Sequence, residues 1–387
     1  MSKKSQIIAG LILLATILLW FFIYITFKNI ATVVGNIEKS SSATTSENLI
    51  ENELLSLLGI SPNKIKPAST STDIYMDPPK EIRAIYVTAP VALTPIWMNK
   101  LIELTKKTEI NAMVINVKDG DTTYLTPKMT AVVKKIKENN IYPIARIVVV
   151  QDNGLVKTRP DLALKTASGK IWMEKNYKWV DPSSKEVWDY NLNISLKALD
   201  IGFEEINFDY FRFPASGALN DIVYPYYKEE TPKSNAINKF AKYLVDNIHN
   251  ADHKAVVSLD IYGYTFLKDD IGIGQNLSSL AIYFDVISPM VYPSHYTPGN
   301  FGFKNPAQHP YQVVLKTLKK GLATLQSNPE VNKNLKIRPW IQDFNMGAIY
   351  NVDMVNKQKQ AIKDAGLEYG WMSWNPSNIY DISKYTK

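Results

Sequence analysis

Asp209 and Asp260 are the residues of this chain best suited to chemistry by type and spacing. Each closes a short run in which apolar and polar residues alternate, Ile206-Asn207-Phe208-Asp209 and Val257-Ser258-Leu259-Asp260. A period of two marks a strand with one face against helices and the other turned to a polar interior. On neighbouring strands, two such carboxylates point into one space. Paired carboxylates in unlike surroundings can cleave a glycosidic bond: one protonates the leaving oxygen, the other attacks or activates water. The plainer reading of each is a loop-end aspartate that caps a helix or pairs with Arg212.

The rest of the pattern weighs against that plainer reading. Lys118, Arg146 and Arg212 are the cations the alternation brings nearest, and any of them would hold one carboxylate ionised. Tyr210, Phe211, Tyr262, Tyr264, Tyr292, His295, Tyr296, Trp374 and Asn375 all fall at or just beyond predicted strand ends. Flat rings suit the C–H faces of sugars, and Asn, His and Tyr can bind hydroxyls; simple packing accounts for others of the group. Asp119, in Lys118-Asp119-Gly120-Asp121, is a further candidate, although an acidic turn with glycine is commonly only a turn. Gln342 points inward at the end of the seventh strand, and Asp343 follows it with its direction open. The candidate catalytic set is thus Asp209, Asp260 and Asp343. Lys118, Asp119, Arg146, Tyr210, Arg212, Tyr262, Tyr292, His295, Gln342, Trp374 and Asn375 are candidates for binding substrate.

Other chemistries find little support. The four histidines, His249, His253, His295 and His309, form no H-x-H or H-E-x-x-H, so a zinc hydrolase is not indicated; no metal or cofactor is expected, with a carboxylate-only magnesium or calcium site as the weak alternative. No G-x-S-x-G elbow occurs, and no G-x-G-x-x-G or Walker loop follows a strand. The absence of cysteine excludes disulfides, thiolate zinc sites and a cysteine nucleophile. The net charge of +7 comes from lysines scattered over predicted helices, which reads as solvated faces. No nucleic-acid recognition motif accompanies it, although a basic surface suits contact with anionic cell-wall polymers.

The elements that must position these residues repeat as strand then helix. Strands are predicted at Ile82–Thr88, Ala112–Lys118, Tyr142–Val150, Glu205–Tyr210, Ala255–Ile261, Phe284–Tyr292, Lys336–Gln342 and Gly370–Trp374. Amphipathic helices fall between them, the first opening at Thr94-Pro95 with threonine as cap and proline in the first turn. A longer excursion, Gln151–Pro182, precedes the helix Ser184–Asp200. Eight such units predict a closed (β/α)8 TIM barrel, with an open doubly wound sheet as the alternative. Parity then assigns Tyr86, Thr88, Asn116, Lys118, Arg146, Asn207, Asp209, Ser258, Asp260, Ser288, Met290, Tyr292, Arg338, Trp340 and Gln342 to the interior. Ile115, Val117, Phe208, Val257, Leu259, Ile287, Val291, Ile337 and Ile341 take the outer face.

Before the barrel, residues 7–27 hold no charge and are mostly Leu, Ile and Phe, enough as a helix to cross a bilayer. Lys3 and Lys4 precede the run and favour a cytoplasmic amino terminus. A cleaved signal peptide is the alternative, but no A-x-A-like site follows. The expected organisation is an N-terminal transmembrane helix as membrane anchor (1–28), a Ser/Thr-rich stalk with a short Leu-rich segment (29–80), and an extracytoplasmic barrel (81–387).

Several stretches together are similar to a known family. They include Asn-Ala-Met-Val-Ile-Asn-Val-Lys-Asp (111–119), Tyr-Pro-Ile-Ala-Arg-Ile (142–147), Trp-Val-Asp-Pro (179–182) and Phe-Asp-Tyr-Phe-Arg-Phe-Pro (208–214). Ile-Ser-Pro-Met-Val-Tyr-Pro-Ser-His-Tyr (287–296), Arg-Pro-Trp-Ile-Gln-Asp-Phe (338–344) and Trp-Asn-Pro-Ser-Asn (374–378) continue it. In this order they resemble the DUF4015 glycosyl hydrolase domain family, related to the alpha-amylase-like barrels. The resemblance implies a (β/α)8 barrel with a carbohydrate substrate, and by analogy with alpha-amylase-like enzymes Asp209 as nucleophile; with the membrane anchor, the expected activity is glycoside hydrolysis of a polysaccharide. The acid of alpha-amylase-like enzymes is a Glu on the fifth strand, where this chain has Asp260. Their third carboxylate falls near Asp343, and the Arg two residues before their nucleophile is Asn207 here. A barrel that binds a glycan without cleaving it is the alternative from a different class.

Overall fold

The computed structural model describes residues 75–252, 254–269 and 271–386. The expected membrane anchor and most of the stalk lie outside these residues. Among the described residues no helix is long and apolar enough to cross a membrane.

The strands are β1 (Ile82–Val87), β2 (Ala112–Lys118), β3 (Tyr142–Val148), β4 (Glu205–Asp209), β5 (Val256–Tyr262), β6 (Val286–Met290), β7 in two pieces (Lys336–Ile337 and Trp340–Gln342) and β8 (Gly370–Trp374). Every neighbouring pair is parallel, and β8 pairs back onto β1, so the sheet closes into a barrel. The break in β7 falls at Pro339, which has no N–H to give to a ladder. Helices α1 (Pro95–Lys107), α2 (Pro127–Glu138), α3 (Lys185–Asp200), α4 (Lys233–Ala251), the short α5 (Leu277–Leu280), α6 (Pro310–Gln326) and α7 (Val352–Asp364) form the outer layer. Proline opens α1, α2 and α6, where a missing N–H costs nothing. The side chains of Thr126 and Asn351 cap α2 and α7. Thr94 holds the cap position of α1, but its hydroxyl donates back to the Pro90 carbonyl instead.

Alternation along the strands separates two apolar layers. Ile82, Ala84, Tyr86, Ala112, Val114, Tyr142, Ile144, Tyr292, Trp340 and Met372 pack together inside the barrel. All nine residues expected on the outer face pack in the layer between strands and helices. Lys118 breaks the pattern. A register shift between Asn116 and Lys118 sets Lys118 beside Ile147, an outer-layer residue, so the extra residue turns its side chain away from the interior.

At the amino-terminal floor of the barrel, Glu205 on β4 pairs with Arg338 in the β7 break, both fully buried. Ser258 donates to Glu205 at 2.5 Å. Met76 packs against the interior cluster from below, and its N–H donates to Glu204 at 2.9 Å. The excursion after β3 contains two small strand pairs, one closing on itself (Met173–Glu174 with Tyr177–Lys178) and one reaching Ile222–Val223 from Lys165–Thr166.

Candidate functional site

The carboxyl ends of the strands open into a cavity of about 390 Å³, lined by Asp209, Asp260, Arg146 and Arg212 and walled by Tyr210, Tyr262, Tyr264, Tyr292, His295, Tyr296, Trp340 and Trp374. It falls within the size range of small-ligand pockets.

Asp209 and Asp260 converge on a single guanidinium. Phe208 lies beside Leu259 in the β4–β5 ladder, so the next residue on each strand is the aspartate. Arg146 on β3, in register with Asn207 of β4, forms an ion pair with Asp209 through Nη2, and its Nε lies 3.9 Å from Asp260 Oδ2. The N–H of Tyr210 donates to Asp209 Oδ1 at 2.6 Å; Tyr210 adopts φ 53° to do so, a left-handed conformation uncommon outside glycine. Asp209 is therefore bonded through both oxygens to donors, one of them cationic.

Asp260 sits in different company. It is fully buried, and its Oδ1 accepts from Asn207 Nδ2 at 2.9 Å and from Trp340 Nε1 at 2.7 Å. Burial, with the neighbouring charge of Asp209, pushes its carboxyl up to about 8, against the opposing pull of Arg146 and of the two donors. It is protonated at neutral pH. Burial works against the charge of Arg146, but Asp209 and its other partners outweigh that and leave the guanidinium firmly charged.

The aromatic wall is built in layers. Tyr86 and Trp374 stack with centroids 4.0 Å apart, and Arg146 lies 5.2 Å from the Trp374 ring. Tyr264 and Tyr296 stack at 5.0 Å. The tightness of this lip depends on Gly263, where a Cβ would stand 2.4 Å from the Tyr296 hydroxyl. Gln275 holds the lip from beneath, accepting from the Tyr262 N–H at 3.0 Å and donating to the Asp260 carbonyl at 3.2 Å. His295 faces the cavity with its ring kept neutral by burial.

Of the residues proposed from sequence, Asp209, Asp260, Arg146, Tyr210, Arg212, Tyr262, Tyr292, His295 and Trp374 line this cavity. The other five stand outside the lining. Lys118 was expected to hold a site carboxylate; with its side chain turned outward it pairs with Asp152 at 2.8 Å and caps the carbonyls of Val148 and Val149. Asp119 folds its own turn, accepting from the N–H groups of Asp121 and Thr122 and from the Tyr124 hydroxyl. Asp343 lies on the outer side of β7, bonded to Lys384 at 2.5 Å and to the Tyr385 hydroxyl at 2.7 Å, and so ties down the carboxyl-terminal segment. Gln342 braces the loop that follows β6 by accepting from the Ser294 N–H. Asn375 orders the turn through Ser377 and Ile379.

Sequence reasoning passed over Trp340 as a partner of Asp260 and Trp179 beneath Arg212. Inward parity pointed to Trp340. No local signal pointed to Trp179, which arrives from the excursion. No group of His, Asp and Glu suited to a metal ion occurs among the described residues.

A family model described as a putative glycosyl hydrolase domain, DUF4015, matches residues 84–380. No curated protein sequence matches the chain. Among solved structures, the PgaB (BpsB) glycoside hydrolase domain from Bordetella bronchiseptica aligns with 77% of this chain and 95% of its own, at TM-score 0.55 and 11% identity. A beta-galactosidase from the psychrophilic Marinomonas ef1 aligns with 76% of this chain and 54% of its own, at TM-score 0.51 and 11% identity. The alpha-galactosidase TtGalA from Thermus thermophilus aligns with 80% of this chain and 64% of its own, at TM-score 0.50 and 14% identity. At such identities the common feature is the barrel fold.

Proposed function

Because the chain belongs to the putative glycosyl hydrolase domain family DUF4015, we propose that it is a glycoside hydrolase acting on a polysaccharide through Asp209 and Asp260. The apolar run at residues 7–27, with lysines before it, supports an enzyme anchored in the cell membrane with its barrel outside the cytoplasm.

One observation carries the reading: two adjacent aspartates share one arginine, yet Asp209 is held in an ion pair and open to the cavity while burial raises the carboxyl of Asp260. Asp209, paired with Arg146, is the ionised nucleophile. Asp260, buried and bearing its proton at neutral pH, is the acid. Neighbouring strands run about 4.8 Å apart, closer to the spacing of retaining enzymes, about 5–5.5 Å, than to the wider inverting one. An Asp209 oxygen attacks the anomeric carbon while the glycosidic C–O bond breaks and the leaving oxygen takes the Asp260 proton. Water then attacks the same carbon, Asp260 recovers a proton from it, and the bond to Asp209 breaks. The rings of Trp374 and Tyr262 offer flat surfaces for sugar faces.

The test is the first-formed anomer, followed by NMR on a polysaccharide the protein cleaves, together with Asp209→Asn. Retention of configuration is expected, with cleavage by Asp209→Asn down by about 10³-fold or more and glycan binding largely kept. An inverted product would sink the covalent route. Unchanged cleavage by Asp209→Asn would remove that residue from the mechanism, and binding without cleavage by the wild type would leave a glycan-binding barrel.

A further inference from the structure

Arg212 carries a buried charge with no carboxylate beside it. The residue is 5% exposed, and among the described residues it forms no ion pair, whereas Lys118 pairs with Asp152, Arg146 with Asp209 and Arg338 with Glu205. Removing a charge from water is costly unless it is paired. Three rings offset part of that cost: the guanidinium lies 4.9 Å from Trp179, 5.2 Å from Tyr210 and 4.9 Å from Tyr262. One Nη1 bond goes to the Phe213 carbonyl at 2.9 Å. The residue lines the cavity, and its remaining N–H groups have no protein acceptor among the described residues.

The charge of the cavity points the same way. Its lining holds two guanidinium groups against one ionised carboxylate, because Asp260 keeps its proton and His295 is neutral. A neutral glycan would leave that excess uncompensated.

We propose that Arg212 is an anion subsite, so that the cavity takes a glycan whose sugar carries a carboxylate or an ester-linked sulfate or phosphate. The inference rests on the hydrolase reading for what is then cleaved, and on the geometry of Arg212 for what is bound. Rings hold the planar guanidinium in place, and its free N–H edge presents the fork that matches a carboxylate or a phosphate.

The experiment compares the full-length chain on a glycan array in which each uronate-containing, sulfated or phosphorylated oligosaccharide stands beside its carboxyl-reduced, desulfated or dephosphorylated counterpart. The acidic member is expected to bind about tenfold tighter or more, on the scale of one charge-assisted pair. Which acidic class scores identifies the anion. Arg212→Gln is expected to bring the ratio close to one, and Arg212→Lys to leave part of it, since lysine keeps the charge and loses the fork. Competition on the wild type needs no variant: galacturonate should displace the bound glycan better than galactose if the anion is a carboxylate, and glucose 6-sulfate or glucose 6-phosphate better than glucose otherwise.

Neutral glycans bound and cleaved without preference, or a preference that survives Arg212→Gln, would overturn the subsite and leave the hydrolase standing. Acidic glycans selected through Arg212 but never cleaved would uphold the subsite and overturn the hydrolase. No binding of either kind overturns both.

Discussion

Asp260 shows most directly how surroundings set the chemistry of a residue. An aspartate in water titrates near 3.9, and burial with Asp209 beside it raises this one to about 8. The folded protein therefore holds a proton that the unfolded chain has released between roughly pH 4 and pH 8. The stability linked to this group is complete below that window, declines as pH rises through it, and is gone above about pH 8. Asp260→Asn keeps an oxygen to accept from Asn207 and Trp340 but cannot ionise. Its melting temperature relative to wild type should therefore climb by several degrees between pH 5 and pH 8.5. A constant difference across that range would mean that Asp260 titrates normally. If Asp260 is the acid of the hydrolase proposed above, the same proton sets the alkaline limb, and kcat/KM should fall as pH passes about 8. Sequence parity brought the two aspartates and Arg146 to one cavity, because all three obey strict alternation. It misplaced Lys118 because the register shift between Asn116 and Lys118 reverses parity, and continued alternation through Asn116, Val117 and Lys118 leaves no mark of that bulge in the sequence. Asp343 was undetermined for a related reason: it lies just past its strand, where alternation no longer constrains it.

At the scale of elements, the barrel closes around polar groups as well as apolar ones. β7 cannot run unbroken through Pro339, and the break is where Arg338 crosses the floor to reach Glu205 on β4. A buried pair adds little net stability, but removing one partner strands a charge. Arg338→Met should therefore cost about 3–5 kcal/mol in denaturant unfolding, and Glu205→Gln in the same chain should restore much of it. A double variant as unstable as the sum of the single ones would mean that the two residues act independently. The elements themselves were legible. Every predicted strand is present, with ends within about two residues, and the helices at Pro95 and Lys185–Asp200 start where expected, since regular alternation and helix-start signals are local. The excursion was visible only as an interruption. Its small strand pairs and the position of Trp179 under Arg212 depend on contacts far apart in sequence, which periodicity does not encode.

For the whole molecule, the open matter is where the folded barrel begins. Sequence patterning puts the border at residue 81, one residue before β1. Yet Met76 packs on the interior cluster, its N–H bonds Glu204, and Tyr75 lies 4.4 Å from Lys254. Glu204 in turn pairs with Lys137 of α2 at 2.5 Å. Residues 75–80 thus cover the floor of the barrel, and deleting them exposes Met76's neighbours and takes a donor from a largely buried carboxylate. We expect residues 73–387 to fold as a soluble monomer independent of the preceding chain, because the two core layers are both contained within it. A fragment of residues 81–387 should also fold, with unfolding free energy lower by roughly 1–3 kcal/mol, the usual cost of leaving a buried polar group unpaired. Parallel urea titrations of the two fragments, with monomer state checked by light scattering, give the comparison. Equal midpoints would assign residues 75–80 to the linker. Aggregation of the longer fragment, relieved only by restoring residues 29–72, would show that the barrel depends on the chain before it.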